Sequence, residues 1–288
     1  MRFSSIIQNF SIIRILIERE AIMAEAIYHF NIGDFRCITF NEATRQQEAE
    51  RLFGHIPTEE RARVLAAFGL HAGILLSSIN VLYLDTGSQK ILVDTGLGQG
   101  ALYAGLETEG IARDAIDTII ITHGHGDHIN GILADDQLAF PNARYFISQT
   151  EWDYWHTENR AAEAQARVIA AVPDDRLTRV AENAEFLPGI RAALLPGHTP
   201  GMMGLLIESG GSRMLHIADA AMYALQCAYP DWSPAFDADQ TISQHTRRRI
   251  WQRAAQEDLL IMGYHYPKSG RGYVTTEGSA WAWQPVVI

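Results

Sequence analysis

The segment Ile119–Gly131, IIITHGHGDHING, passes from an apolar run into three histidines and an aspartate within six residues. An apolar β-run is stable only when buried, so its abrupt polar tip must present those groups at the end of a sheet. Alternation along extended backbone places His123 and His125 on one side, and a turn at Gly126 carries Asp127 and His128 round to a second centre. A lone histidine usually marks a satisfied polar loop; four such groups this close do not. Imidazole with carboxylate suits zinc, and iron, manganese or cobalt accept the same donors. One catalytic zinc takes three protein ligands and a water, so four groups imply more than one ion and further ligands elsewhere.

Three more candidates each follow a strand-like run. LLPGHTPGM places His198 in a turn bounded by proline and glycine, LHIADAAM places Asp219 at a strand end, and LIMGYHYP does the same for His265. Each is a weak signal alone. Together they complete a set of seven ligands.

The remaining chain supplies a scaffold. AIYHFNIGDFRCITFNE reads as two short strands around Gly33-Asp34, Glu42 to Leu70 as helices with a start at Pro57-Thr58-Glu59-Glu60, and INVLYLDTGSQKILVDTGLG as a hairpin. ALYAGLETEGIARDAI reads as a helix leading into the strand DTIIIT. ARYFIS is a strand, and QTEWDYWHTENRAAEAQARVIAAV is one helix stopped by Pro173. Farther on, IRAALLPGH, MGLLIES, RMLHIAD and LLIMGYH read as strands and SQHTRRRIWQRAAQE as a helix. Frequent hairpins with alternating helices predict an α/β chain of two mixed sheets packed face to face, helices outside. Residues 1–22 contain an apolar run interrupted by Arg14, with no cleavage site before Glu18 and Glu20, and too short for a membrane span. They are expected to be a poorly ordered or mis-assigned extension, with an amphipathic membrane-surface helix as the competing reading. A single domain is expected over 23–288.

Composition removes other classes. With 23 Lys plus Arg against 34 Asp plus Glu, the net charge of −11 repels a phosphate backbone, which disfavours nucleic acid as partner. Cys37 and Cys227 have neither disulfide-framework nor zinc-site spacing and read as buried small hydrophobes, with one bond between them left open. The expected setting is the cytoplasm, and a homodimer is left open.

H-x-H-x-D-H, then G-H-T-P-G, then an aspartate and a final histidine, resembles the metallo-β-lactamase superfamily in its dinuclear hydrolase branch. ILVDTG, FPNARYFISQTEWDYW and MGYHYP resemble more narrowly the group that contains acyl-homoserine lactonases and methyl parathion hydrolase. The resemblance runs from about Ala26 to the C-terminus and implies a four-layer αββα sandwich. It implies two divalent ions, foremost Zn²⁺: the first on His123, His125 and His198, the second on Asp127, His128 and His265, with Asp219 bridging. Asp94 matches a position beside the metals, where it orients a ligand histidine, although a turn aspartate capping the strand end explains it equally well. Thr122 and Thr199 read as loop structure.

The implied reaction is attack by a metal-bridging hydroxide on a lactone or related ester, with Asp219 or, less suitably, Asp127 relaying a proton. A tyrosine assists lactonases of this group three residues after the bridging aspartate; here Met222 holds that place and Tyr223 follows. Tyr223 is thus either a displaced catalytic phenol or a packed aromatic. Trp232, Phe236 and Tyr229 either line an apolar pocket or cover the core, and Trp152 and Trp155 fit core packing. The alternatives are a phosphotriesterase, then a thioester hydrolase of glyoxalase type, with β-lactam cleavage and a nuclease role less well matched. From a different class, a diiron redox protein is disfavoured, because the first motif keeps its histidines and no flavin domain is evident.

Overall fold

The computed structural model describes residues 27–157 and 163–287, so the expected extension over 1–22 lies outside the described residues. In the first sheet the order is β1 (Ile27–Ile32), β2 (Phe35–Glu48), β3 (Ile74–Asp85), β4 (Lys90–Val93), β5 (Thr118–Ile120), β8 (Arg144–Ser148) and β9 (Leu177–Val180). β1 to β4 pair antiparallel and β4, β5, β8 and β9 parallel. A small hairpin, β6 (Leu133–Ala134) with β7 (Gln137–Leu138), stands apart. The second sheet runs β10 (Glu185–Leu187), β11 (Ile190–Leu194), β12 (Met203–Ser209), β13 (Ser212–His216), β14 (Leu260–Met262), β15 (Arg271–Glu277) and β16 (Ala280–Pro285), antiparallel except for β13 with β14. The helices are α1 (Ala49–Phe53), α2 (Thr58–Ala67), α3 (Ala101–Thr108), α4 (Gly126–Ile129), α5 (Gln149–Trp155), α6 (Ala164–Ala170), α7 (Leu225–Ala228) and α8 (Gln240–Glu257).

Strand alternation sorts side chains into three apolar layers. Leu82, Leu84, Ile91 and Val93 meet Met203, Leu205, Ile207 and Met214 between the sheets. On the outer face of the first sheet, Tyr83, Leu92 and Ile119 pack with Leu102 and Leu106 of α3. On the outer face of the second, Leu206, Leu215 and Ile261 pack with Ile250, Trp251 and Ala254 of α8. At roughly 1.5–3 kcal/mol for each fully buried large aliphatic side chain, these layers are the main stabilising contribution. Asp239 caps α8 by accepting from Ile242 N at 2.9 Å.

Three expectations need correction. Glu42–Glu48 is not helical: β2 continues to Glu48, because pairing along the whole apolar length of β3 outweighs the helix propensity of its Glu, Ala, Arg and Gln residues. The expected single helix before Pro173 is two, α5 ending at Trp155 and α6 beginning at Ala164. The helix after Gly100 stops at Thr108, and a separate 3₁₀ turn spans Arg113–Ala115. The C-terminal hairpin of β15 and β16 had no counterpart in the sequence reading. Cys37 and Cys227 are free and buried in different apolar layers, which settles the disulfide that spacing left open.

Candidate metal centre

Every predicted ligand sits just past a strand. His123 and His125 follow β5 in extended backbone, and α4 starts at Gly126 and swings Asp127 and His128 to the other side. β11 leads to His198, β13 to Asp219 and β14 to His265. Ala218, immediately before Asp219, and Asp94 are both left-handed, at φ 46° and 64°. Such non-glycine backbone costs roughly 1–3 kcal/mol and persists only where its surroundings over-determine it. At Asp94 the surroundings are explicit: its carboxylate accepts from Thr122 N and Thr122 Oγ1, both at 2.8 Å, and meets His128 Nδ1 at 2.8 Å. Asp94 therefore both caps the strand end and orients a histidine.

Three further imidazoles are oriented in the same manner. His198 Nδ1 lies 3.0 Å from Asp237 Oδ1, His265 Nδ1 2.8 Å from Ser78 O, and His123 Nδ1 3.1 Å from Thr122 Oγ1. An acceptor on Nδ1 leaves the Nε2 lone pair facing inward, the tautomer a metal ligand needs. The inward atoms crowd together. His125 Nδ1 is 2.9 Å from His198 Nε2 and 3.1 Å from His123 Nε2. Asp219 Oδ2 lies 3.0 Å from His265 Nε2, 3.3 Å from His198 Nε2 and 3.9 Å from His123 Nε2. Asp127 Oδ2 stands 3.6 Å from His265 Nε2.

Three overlapping groups could each hold a cation: His123 with His125 and His198, His123 with His128 and Asp219, and Asp127 with His128 and His265. Asp219 touches histidines of both outer groups. His128 Nε2 and Asp219 Oδ1, fully buried and 3.4 Å apart, have no partner in hydrogen-bond geometry among the described residues. Buried polar atoms are nearly always satisfied, so two orphans aimed into a nest of donors fit a divalent cation.

Electrostatics agree. Burial, reinforced by neighbouring imidazoles, holds His123 well below the ordinary imidazole value and His125 at about 3. Burial would raise the carboxylates, but the facing histidines prevail and hold Asp127 low and Asp219 well below the usual range. Burial likewise opposes charge on His128 and His265, yet Asp219 foremost turns the balance and raises both. The carboxylates thus demand positive charge, and divalent ions supply it more compactly than protonated histidines.

Two buried carboxylates that the sequence reading missed brace this cluster. Glu151 Oε1 accepts from Gly124 N at 2.9 Å and Trp155 Nε1 at 2.7 Å, and Oε2 from Thr199 Oγ1 at 2.6 Å and Gly201 N at 3.2 Å. One side chain thereby ties the loop of His123 and His125 to the loop of His198. Thr122 and Thr199, read as plain loop residues, are hydrogen-bonding members of these braces. Ser148-x-x-Glu151 has the form of a capping box, and Ser148 Oγ accepts from Glu151 N at 3.0 Å, but the carboxylate goes to the loops instead. Asp237, behind His198, pairs with buried Arg247 at 3.2 Å. Nothing in the linear pattern marks that pair.

The donors open into a cleft of about 280 Å³ that is also lined by Arg45, Gln47, Ser77, Ile79, Met222, Tyr223 and Phe236. Tyr223 is buried, yet its hydroxyl, near Ser77, has no partner in hydrogen-bond geometry among the described residues. Phe236 is 41% exposed at the rim, whereas Trp232 packs in the core and Tyr229 against it. Trp155 is core, and Trp152 stacks on His156 at 3.7 Å.

The model of the Metallo-beta-lactamase superfamily matches residues 75–255. A beta-lactamase-like protein 2 homolog of Drosophila melanogaster is 28% identical over 147 residues, 48% of this chain and 46% of its own length. The chain thus spans about half of that relative. An N-acyl homoserine lactonase of Bacillus cereus is 24% identical over 66% of this chain and 81% of its own length. Among solved structures, AidC, a dizinc quorum-quenching lactonase bound to a product, superposes with TM-score 0.85 at 24% identity, covering 91% of this chain and 98% of AidC. The hydrolase AbOPH superposes with TM-score 0.82 at 23% identity, covering 92% and 99%. At these identities the structural likeness establishes the fold, two mixed sheets flanked by helices.

Proposed function

Because the chain belongs to the metallo-beta-lactamase superfamily, we propose that it is a metal-dependent hydrolase that opens a lactone or cleaves a related carboxylic ester. The observation that carries this reading is the convergence of five histidines, four of them oriented through Nδ1, and two aspartates, with His128 Nε2 and Asp219 Oδ1 lacking hydrogen-bond partners among the described residues. His123, His125 and His198 would hold one divalent ion, Asp127, His128 and His265 the other, and Asp219 would reach both. When bound, such ions, foremost zinc, act as Lewis acids and bring the pKa of water to about 7, so that neither a serine nor a cysteine is needed as nucleophile.

The chain's own residues supply the rest. Asp94 and Asp237 hold His128 and His198 in the ligating tautomer. Asp219, buried at the centre, or Asp127, with its side chain 30% exposed at the cleft wall, would pass a proton to a leaving oxygen. Burial raises the Tyr223 phenol above its ordinary value, so it stays protonated and can donate to a substrate carbonyl oxygen. Ile79, Met222 and Phe236 offer apolar contact for the substrate body.

A phosphotriester is the second reading. It is favoured by Met222, which stands where lactonases of the resembling group carry the assisting tyrosine. The test is metal content measured together with hydrolysis rates on lactone, thioester and phosphotriester panels, for wild type and His198→Ala. Chelation and the substitution should each abolish turnover; full activity in metal-stripped protein would sink the proposal.

A further inference from the structure

We propose that Arg45 makes the cleft selective for esters or lactones that carry a second, anionic group, such as a carboxylate placed away from the bond being cleaved. This rests on the hydrolase reading above and adds a substrate class to it.

The argument begins with a register shift. Between Asn41 and Ala43 the pairing of β2 with β3 slips by one residue: Asn41 faces Asn80, whereas Ala43 faces Ile79 and Arg45 faces Ser77. Glu42 is the extra residue. Cross-strand partners share a face, so the bulge turns Ala43, Arg45 and Gln47 onto the face of Ile79 and Ser77; without it they would lie on the opposite one. Arg45, Gln47, Ser77 and Ile79 accordingly all line the cleft that holds His125, His198, Asp127, Asp219 and His265. The bulge is itself pinned, because Glu42 Oε2 accepts from Leu97 N at 2.6 Å and Oε1 from Leu102 N at 3.2 Å.

Arg45 is exposed, and among the described residues it has no carboxylate within ion-pair distance. Glu42 feels its charge, but that carboxylate is half-shielded and engaged by backbone N–H groups. The cleft carboxylates cannot serve as its counterion either. Asp127 and Asp219 are the only acidic members among the proposed ligands, and with two divalent ions bound the set is net positive. A guanidinium in a protein of charge −11, facing a positive centre without a counterion, is suited to an anion brought by the ligand. Gln47 and Ser77 beside it add neutral hydrogen-bonding groups on the same wall.

The experiment compares a matched ligand pair, glutarate and monomethyl glutarate, which share one carboxylate for the metals and differ in the second. Dissociation constants are measured by calorimetry on zinc-loaded wild type, Arg45→Gln and Arg45→Lys. Wild type should hold glutarate about tenfold more tightly than the monoester, with the ratio narrowing as ionic strength rises. In Arg45→Gln the ratio should fall toward one, and in Arg45→Lys most of it should survive. Equal ratios in wild type and Arg45→Gln, or no wild-type preference for glutarate, would overturn the assignment. Because the readout is binding, it decides the role of Arg45 independently of turnover. Failure of the hydrolase reading is seen separately, as no metal-dependent cleavage of mono-4-nitrophenyl glutarate or its methyl ester.

Discussion

Replacing Glu151 by glutamine tests whether one buried carboxylate assembles half of the metal centre. The four donors on Glu151 come from Gly124, Trp155, Thr199 and Gly201. A glutamine oxygen in the place of Oε1 keeps the first two. Its amide then faces Thr199 Oγ1, which can rotate to accept, and Gly201 N–H, which cannot. One buried donor is left unsatisfied, at about 1–3 kcal/mol, and the remaining bonds lose charge assistance. An opposing contribution exists: burial raises the Glu151 pKa despite its donors, so the neutral amide escapes part of that desolvation. The net expectation is a loss of about 1–3 kcal/mol in urea unfolding. The metal effect should be lopsided. Glu151 braces Gly124, which lies between His123 and His125, and Thr199 beside His198, but no ligand of the Asp127, His128 and His265 group. Titration of apo protein with zinc should therefore show one of two binding steps weakened roughly 10–100-fold, as is usual for loss of an outer-sphere partner. Two unaltered steps with unchanged stability would refute the reasoning, and equal weakening of both would show that Glu151 acts through general stability instead.

Two further outcomes are expected. Arg247→Ala leaves Asp237 buried without its cation, and urea unfolding should report a loss of about 3–5 kcal/mol, whereas Arg247→Met together with Asp237→Asn should recover part of it. Burial holds His216 at about 4, so the unfolded chain binds its proton more readily than the folded one. Its neutral form supports stability fully above the ordinary value of 6.5, and that support is lost as pH falls toward 4, by roughly 3 kcal/mol in all. Between pH 7.5 and pH 4.5 wild type should lose roughly 3 kcal/mol of stability relative to His216→Gln; a difference that stays constant with pH would contradict it.

The sequence by itself marked the residues that converge in the cluster, and the grammar of the sheets. H-x-H-x-D-H after an apolar strand needs no partner to be recognised, since strand alternation and a small-residue turn already separate its members into two groups. His198, Asp219 and His265 were legible because each ends an apolar run, where a polar group must face the sheet edge. The hairpins turning at Gly33 and Gly87 were equally local, whereas the one turning at Gly278 between β15 and β16 was not read from the sequence. What depended on tertiary structure was everything decided by a neighbour far along the chain. Helix-prone Glu42–Glu48 became strand because β3 was there to pair with it, and the bulge at Glu42 then chose which face Arg45 occupies. Glu151 was one unmarked residue of a helical segment until the loops of Gly124 and Gly201 arrived within hydrogen-bond distance, and Asp237 acquired its meaning only between His198 and Arg247. A ligand advertises itself by its chemistry and its place at a strand end. A bracing residue is defined by which donors folding brings to it, and a long-range contact leaves no periodic trace in the order of amino acids.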